Sequence, residues 1–282
     1  MRVTTLIENR PSTEDPRLAF EWGLSLHVAV NGRSVLFDTG ASGSFASNAE
    51  RLSVNLASVD AAVLSHHHYD HGGGLRRFFE INSDAAVHLG AAPEGECAAK
   101  LFGIVRKYAG LDRAILTDHA GRFRTVTRPA EILPGVFLFP HVPGTHPTPA
   151  GNRHLYLRSG HTYTPDRFTH EIVMAIKEDG KLVVFTGCSH SGVLNMVDTV
   201  ARELGGLPVK AVVGGFHLVS VPPFNVMADR KRDVEDLARS LLRYPVERAY
   251  TGHCTGRKAY GVLKGVMGDR LAQMRTGTRF EV

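Results

Sequence analysis

The sequence has few cysteines and no segment suited to a membrane or to export. Its three cysteines cannot form a framework of disulfides, because one would always be left unpaired. No run of about 18 apolar residues occurs, which excludes a predicted membrane-spanning helix. Residues Met1–Glu8 favour a strand and lack the apolar core of a signal peptide. We therefore predict a cytoplasmic protein without a membrane partner.

The sequence also lacks a basic segment, a repeat, a low-complexity linker and a clear domain boundary. The net charge of +5 comes from scattered residues, and the basic cluster Arg230–Arg232 is followed at once by acidic residues. We interpret that cluster as a solvated helix face, and we predict no nucleic-acid partner. The charge favours a small anionic substrate, such as a phosphate or a carboxylate. We predict a single domain over residues 1–282, and the oligomeric state stays open, with a homo-oligomer as one alternative.

What the sequence does have is a dense run of metal-binding side chains. Four potential ligands lie within six residues: His66, His68, Asp70 and His71. Imidazole nitrogens and carboxylate oxygens are ligands of borderline divalent metals such as zinc. The run follows the apolar stretch Ala61–Leu64 and precedes Gly72–Gly74, a pattern typical of a buried strand, a loop and the start of a helix. We predict that all four bind metal and that His67 points away.

Potential metal ligands also follow three later predicted strands. Cys188 and His190 follow the first of these strands, His217 follows the second and His253 follows the third. Because strand ends on one edge of packed sheets converge, we predict that they join the first four residues in one metal site. Cys188, His190 and His253 are predicted ligands, whereas His217 is predicted to donate a proton or to stabilise charge on the substrate. Asp38, at the end of an earlier strand, is predicted to orient a ligating imidazole.

Secondary structure follows from hydrophobic alternation and turn residues along most of the chain. The spacing predicts strands over Leu24–Val30 and Ser34–Phe37 and a last strand over Arg275–Val282. Residues 91–165 are less regular, and we predict there an insertion that shapes the substrate pocket, with a helix over Glu96–Tyr108.

Together these motifs resemble the metallo-β-lactamase fold superfamily over nearly the whole chain. The resemblance implies an α/β fold, a four-layer αβ/βα sandwich with metals at one edge. It also implies that His66 and His68 bind a first metal, and that Asp70, His71 and His253 bind a second. A narrower resemblance is to a dihydropteroate-synthase-like subfamily, whose archaeal members are named synthases of a dihydropterin-linked ribofuranosylaminobenzene 5'-phosphate. Five segments carry it: Trp22–Ser25, Phe37–Gly40, Thr186–Gly192, Gly214–Leu218 and Thr251–Gly256.

The chain departs from the superfamily pattern at two places. It lacks the Pro-Gly-His-Thr motif that usually completes the first metal site. Either His170 or His190 fills that place, and we favour His190. Cys188 stands where a bridging aspartate is usual, and a thiolate favours zinc over manganese or magnesium. We expect one or two zinc ions, with iron or manganese as alternatives.

The expected activity is hydrolysis of an anionic, phosphorylated small molecule by metal-activated water. Asp70 would orient the nucleophile, and His217 would protonate the leaving group or stabilise charge. The alternative is a transferase that couples a pterin diphosphate to an arylamine ribofuranosyl phosphate, as the subfamily implies. A non-catalytic or redox metal protein is less favoured, because flavin-linked members of the superfamily have glutamate where His68 stands.

Overall fold

Strands account for much of the chain in the computed structural model, which describes residues 1–101, 105–220, 226–244 and 246–282. The first strands are β1 (Arg2–Ile7), β2 (Ser25–Val30), β3 (Arg33–Phe37), β4 (Ala61–Leu64), β5 (Ala86–Gly90), β6 (Glu96–Leu101), β7 (Val105–Tyr108), β8 (Phe123–Val126) and β9 (Ala130–Leu133). The later strands are β10 (Val136–Phe139), β11 (Leu155–Ser159), β12 (Thr162–Pro165), β13 (Val173–Glu178), β14 (Lys181–Thr186), β15 (Val209–Gly214), β16 (Arg248–Thr251), β17 (Leu271–Gln273) and β18 (Arg279–Glu281).

Helices lie between the strands and vary from one turn to more than three turns. They are α1 (Ser44–Arg51), α2 (Tyr69–Gly72), α3 (Leu75–Ile81), α4 (Arg113–Asp118), α5 (Val193–Glu203), α6 (Lys231–Arg243) and α7 (Arg257–Met267). Among the described residues, no helix has both the length and the apolarity that crossing a membrane requires.

Two seven-stranded sheets have the same internal arrangement. The first has the order β18-β1-β2-β3-β4-β5-β8, and the second has the order β17-β16-β15-β14-β13-β10-β9. In each sheet one part is antiparallel and the other is parallel: β3, β4 and β5 run parallel in the first sheet, and β14, β15 and β16 in the second. The predicted ligands follow the carboxyl ends of these parallel strands.

The sheets pack face to face, and helices cover their outer faces. Along β3, Val35 and Phe37 pack between the sheets, whereas Leu36 packs against α1 and α3. Along β14, Val183 and Phe185 point between the sheets, whereas Val184 faces the helices α5, α6 and α7. This alternation is the side-chain period of a strand buried on both faces. The expected four-layer αβ/βα sandwich is therefore confirmed.

Residues 91–165 contribute to all three sheets of the chain. β8 extends the first large sheet, and β9 and β10 extend the second. The remaining strands of the region form a separate four-stranded sheet in the order β12-β11-β6-β7. This small sheet, hereafter the cover sheet, brings Tyr108 and Leu155 to the cavity described below.

The helix predicted over Glu96–Tyr108 is wrong. Its described residues form β6 and β7, and residues 102–104 lie outside the described part of the chain. Ala98 of β6 is paired with Tyr156 of β11 on one side and with Tyr108 of β7 on the other. Alanine, lysine, glutamate and leucine favour helices in isolation, but the pairing with β11 outweighs that local preference.

The last predicted strand, Arg275–Val282, is also shorter than expected. Only β18 is a strand, and it pairs with β1 in the first sheet, whereas the preceding β17 pairs with β16 in the second. The chain therefore passes from one sheet to the other within a few residues. Met274 lies in the core between the two sheets at this passage.

Candidate metal centre

The histidine-rich loop begins where β4 ends and is fixed by Asp38. The carboxylate of Asp38 accepts hydrogen bonds from the backbone N–H of Ser65 at 2.7 Å and from the Ser65 hydroxyl at 2.8 Å. The loop then turns into the single-turn helix α2. Gly73 allows this turn to lie against the chain at Ala41, because a Cβ on Gly73 would lie 2.2 Å from the Ala41 carbonyl oxygen.

The structure brings a first set of donors together: His66, His68 and His190. Their candidate ligand atoms all lie within 4.8 Å of one another, and the three side chains are buried. Nε2 of His66 lies 3.0 Å from Nδ1 of His68. Nε2 of His190 is buried and has no hydrogen-bond partner in the described part of the chain. Nitrogen lone pairs this close repel one another unless a proton or a cation lies between them.

A second set lies directly beside the first: Asp70, His71, Cys188 and His253. Nε2 of His71 is 3.2 Å from the Cys188 sulfur and 3.2 Å from Nε2 of His253. The Asp70 carboxylate is 3.5 Å from Nε2 of His253 and 3.9 Å from Nε2 of His71. Tetrahedral zinc with ordinary bond lengths holds its ligand atoms about 3.3–3.7 Å apart. The donor types and spacings therefore fit zinc.

Cys188 lies between the two sets. Its sulfur is grouped with His66 and His71 in one potential metal-binding cluster and with His190 and His217 in another. Gly187 permits this approach, because a Cβ there would lie 2.0 Å from the Ser65 hydroxyl. The thiol thus occupies the place between two donor sets, where one sulfur could serve both.

Four imidazoles direct Nε2 into the donor sets and contact other polar groups of the protein through Nδ1. His71 donates to Asp38 at 2.6 Å, and His66 contacts the Ser65 hydroxyl at 2.9 Å. His190 is paired with Asn152 Oδ1 at 2.9 Å, and His253 with Asn9 Oδ1 at 2.8 Å. A proton on Nδ1 leaves the Nε2 lone pair free, which is the tautomer that a metal ligand needs. Asp38 thus contacts a site imidazole, as expected from the sequence.

Asn9, Ser65 and Asn152 were missed by sequence reasoning. Ser65 follows a strand and directly precedes the predicted ligand His66, so its position was a signal that could have been used. Asn9 and Asn152 lie far along the chain from the ligands they contact, and Asn152 also donates from its side-chain nitrogen to the His190 carbonyl at 2.8 Å. No sequence pattern marks such contacts.

Three of the site's histidines are held neutral, and one carboxylate is held ionised. Burial lowers the pKa of His68 to about 3, and burial with neighbouring histidines holds the pKa of His66 and His190 well below its ordinary value. Burial also opposes ionisation of Asp70, but the charge of His71 and the adjacent His253 side chain outweigh it and keep the Asp70 pKa low. Neutral imidazole beside an ionised carboxylate is the protonation state of a metal-binding site.

His71 differs from the other histidines. Although its burial acts in the opposite direction, Asp38 and Asp70 raise the pKa of His71 to about 9. The proton that His71 retains lies where a divalent cation would replace it. Burial raises the pKa of the Cys188 thiol, so Cys188 also keeps its proton unless a cation stabilises the thiolate.

Four non-glycine residues at this edge have a left-handed backbone conformation. The φ angles are 60° at Asp38, 59° at Ser189, 46° at His217 and 47° at His253. Each follows a strand that ends at the site. Non-glycine residues in this region cost of order 1 kcal/mol or more, and such conformations cluster at functional sites. The strained turns direct the side chains towards one point.

His217 lies beside the donor sets and faces a narrow cavity. Its ring centroid is 4.1 Å from that of His190, and both ring nitrogens are buried without a partner among the described residues. The cavity has a volume of about 80 Å³, and its walls include Trp22, Tyr69, Asp70 and His217. Both residues that the sequence assigned to catalysis, Asp70 and His217, therefore line one cavity, hereafter the metal cavity.

His67 and His170 make their hydrogen bonds outside the two donor sets, although His170 also forms a separate potential metal-binding cluster with His68, Cys97 and Asp166. Nε2 of His67 contacts the Gly90 carbonyl at 3.1 Å. His170 accepts from the His67 backbone N–H at 3.3 Å, and its other nitrogen is 3.1 Å from the Asp166 carboxylate. His190 therefore fits the third place of the first set better than His170 does.

Comparisons with known proteins identify the family of the chain. A family profile described as Metallo-beta-lactamase superfamily matches residues 25–163. A relative from Methanocaldococcus jannaschii is 30% identical over 293 residues, covering 98% of this chain and 95% of the relative. This chain belongs to the metallo-β-lactamase superfamily. That relative is named 7,8-dihydropterin-6-methyl-4-(beta-D-ribofuranosyl)-aminobenzene-5'-phosphate synthase.

Solved structures of the superfamily share the fold over the whole chain. Tm1679, described as a metal-dependent hydrolase of the beta-lactamase superfamily, has a TM-score of 0.80 at 27% identity, covering 100% of this chain and 99% of its own. Zn(2+)-bound PqqB from Methylobacterium extorquens has a TM-score of 0.61 at 13% identity, with both chains fully covered. The second likeness shows the fold alone. Members of the superfamily usually bind metal ions, and the donor sets described above are compatible with that property.

Proposed function

We propose that this member of the metallo-β-lactamase superfamily is a metal-dependent hydrolase of an anionic, phosphorylated small molecule. The observation that carries the proposal is the meeting of two buried donor sets at the floor of the metal cavity, with His217 above them. Structural sites bury all their ligands, whereas catalytic sites leave one side open to substrate. Here Asp70 and His190 contribute both to the donor sets and to the cavity wall.

Zinc is the proposed metal, as two ions. His66, His68 and His190 would hold the first, and Asp70, His71, Cys188 and His253 the second. A zinc pair supplies Lewis acidity and lowers the pKa of water to about 7. Thiolate and imidazole donors favour zinc, whereas magnesium and manganese prefer oxygen donors. The Cys188 sulfur is the donor that argues most strongly against an all-oxygen metal site.

The chain's own residues supply orientation and proton transfer. Asp70 carries a negative charge at the cavity wall and can accept a hydrogen bond from the attacking water, which orients its lone pair towards the substrate. Neither ring nitrogen of His217 has a partner within the described ranges, and the side chain lies in the cavity wall. We propose that it donates a proton to the leaving group. Lys107 at the same wall would attract an anionic substrate.

The proposal is tested by metal analysis and by activity on a substrate panel. Purified protein is expected to hold about two equivalents of zinc and to hydrolyse a phosphomonoester or a phosphodiester. Removal of the metal with a chelator should abolish turnover, and added zinc should restore it. Metal-independent turnover, or protein that binds no divalent metal, would contradict the proposal.

A transferase is the second candidate, and the 30% identical synthase from Methanocaldococcus jannaschii is the observation that favours it. In that reaction the metal-binding residues would hold the diphosphate of a pterin, and an arylamine would attack instead of water. Incubation with a pterin diphosphate and an aminobenzoate-type acceptor separates the two candidates. Coupled product supports transfer, whereas release of the free pterin alcohol alone supports hydrolysis.

A further inference from the structure

A second cavity lies on the other side of His253 from the donor sets. It has a volume of about 290 Å³ and is lined by Arg10, Phe20, Trp22, Arg257 and Tyr260, among others. We call it the arginine cavity. Its floor includes the back of His253, whose Nδ1 contacts Asn9. A ligand here would therefore lie next to a proposed metal ligand without contacting the metals.

The acidic residues of the arginine cavity are already satisfied by the protein. Glu8 accepts hydrogen bonds from the backbone N–H groups of Arg10 and His253. Glu21 accepts from the backbone N–H of Ala41 at 2.9 Å, and from the backbone and hydroxyl of Ser42. Both carboxylates are thus engaged by groups of the chain rather than by an arginine.

The two arginines of the arginine cavity have no such partner. Within the described ranges, no carboxylate lies within ion-pairing distance of the Arg10 or the Arg257 guanidinium. Arginine is the side chain that binds phosphate and carboxylate in a two-pronged geometry. Two uncompensated guanidinium groups at one cavity are therefore suited to an oxyanion.

The backbone adds positive potential at the same place. Arg257 is the first residue of α7, whose first turn contains no acidic residue and whose start has no side-chain cap. Basic residues at the positive end of a helix are unfavourable unless an anion lies nearby. Arg257 and Lys258 lie at this positive helix end. An anion bound there would offset their unfavourable placement and would also pair with the two guanidinium groups.

Aromatic walls connect the arginine cavity with the metal cavity. Trp22 and Val219 line both cavities, and the Trp22 ring centroid lies 5.3 Å from that of His253. Phe20, at the arginine cavity, is 54% exposed, which is unusual for so large an apolar side chain. A planar ring could pack against Phe20 and Trp22 while an anion attached to it contacts the arginines.

We propose that the arginine cavity binds a terminal phosphate of the substrate, carried on a planar ring that packs against Trp22 and Phe20, while the reacting group lies in the metal cavity. This inference rests on the proposed function for the reacting group, but the binding of the terminal phosphate can be measured without turnover. The substrate class is thus an aromatic molecule with two anionic ends.

The test uses Trp22, which is the only tryptophan of the chain. The zinc-loaded protein is titrated with phenylphosphonate, whose P–C bond a phosphoesterase does not cleave, and the emission of Trp22 is followed. We expect a saturable change, and we expect Arg10→Gln and Arg257→Gln each to weaken binding by about tenfold or more. Phe20→Ala is expected to reduce binding of phenylphosphonate to the level of inorganic phosphate. Arg232→Gln, on the exposed face of α6, is the matched control and should leave the dissociation constant unchanged.

Metal-depleted protein distinguishes the two places where phosphate could bind. If binding persists without metal and depends on Arg10 and Arg257, the proposal stands even if no hydrolysis is found. If binding requires metal and is unaffected by both arginine variants, phosphate binds at the metals; the arginine cavity proposal then fails and the proposed hydrolase does not. Circular dichroism of each variant shows whether it is folded, and Arg257→Lys should bind better than Arg257→Gln if charge is the cause.

Discussion

The two halves of the candidate metal centre are built in different ways. The first sheet contributes His66, His68, Asp70 and His71 from one loop after β4. The second sheet contributes Cys188 and His190 after β14, His217 after β15 and His253 after β16. The loop places its donors by local chain geometry, whereas the second half depends on the packing of three parallel strands. The donors of a single loop can be recognised in a short stretch of sequence, whereas the convergence of strand ends depends on how the strands are arranged in the sheets.

The largest expected effect comes from removing a donor from each half. His66→Ala should lower turnover by roughly 10³-fold, because the metal contributes several kcal/mol to catalysis. His190→Ala should lower turnover similarly, and each variant should lose only one equivalent of metal, since the second donor set keeps all four of its members. Metal content and turnover are measured on the same preparations.

His67→Gln is the control for these variants, because the His67 side chain contacts Gly90 rather than the donor sets. Its metal content should match that of the unchanged protein. If His190→Ala lost both equivalents of metal, the two donor sets would be one cooperative site, and the comparison between the halves would need revision.

Replacing the shared sulfur should have the next largest effect. Cys188→Ser is expected to weaken zinc binding by about a hundredfold and to reduce the preference for zinc over manganese, because a hydroxyl is a harder donor. Competition of the two metals for apo-protein measures this. Cys97→Ser is the comparison variant, because Cys97 is also buried but belongs to a separate potential metal-binding cluster, with His68, Asp166 and His170. Equal zinc affinity in both variants would argue against ligation by Cys188.

The residues behind the imidazoles are expected to have smaller effects. Asn152→Ala and Asn9→Ala should each weaken metal binding by about 10–100-fold, as is typical when a hydrogen-bond partner of a ligating histidine is removed. Asn152→Asp is a sharper variant, because its carboxylate keeps the hydrogen bond to His190 and should restore affinity. If Asn152→Asp binds metal no better than Asn152→Ala, the contact does not orient His190.

The smallest effect is the pH dependence of the metal-free protein. The unfolded chain binds protons on its histidines below about pH 6.5, whereas folded His68 stays neutral down to about pH 3. The unfolded state therefore binds more protons, and stability falls as the pH falls through this window. The slope should be about 1.4 kcal/mol per pH unit for each such histidine.

His71 adds nothing to that slope below about pH 5.5, where it is protonated in both states. Its pKa is raised to about 9, so its contribution to stability is lost as the pH rises from about 6.5 to 9. Urea unfolding of chelator-treated protein between about pH 5.5 and pH 4 measures the free energy of unfolding. His68→Asn should flatten the curve relative to the unchanged protein. An unchanged slope in that variant would mean that His68 is not buried as a neutral donor.

The fold and the ligand candidates could be predicted because both have strong local signatures. The apolar stretch Ala61–Leu64 and the histidines after it determine a strand and a loop with little help from the rest of the chain. The strands predicted over Leu24–Val30 and Ser34–Phe37 are likewise confirmed as β2 and β3, each within one residue at its start.

The remaining features depend on contacts between distant parts of the chain. The error at Glu96–Tyr108 arose because the residues of β6 suit a helix by composition and become a strand only through β11, more than fifty residues later. Asn152 and Asn9 likewise acquire a role only when the fold places them behind His190 and His253. Neither kind of contact leaves a pattern in a short window of sequence.

The left-handed residues at the strand ends have a consequence for engineering. His217 occupies a backbone position that glycine adopts without strain, and its ring nitrogens have no hydrogen-bond partner among the described residues. Asp38 is also left-handed, but its carboxylate holds Ser65 and His71 by buried hydrogen bonds that glycine would remove. A search for thermostable variants that did not screen for activity would therefore be drawn to glycine at His217, where stability and activity are expected to compete.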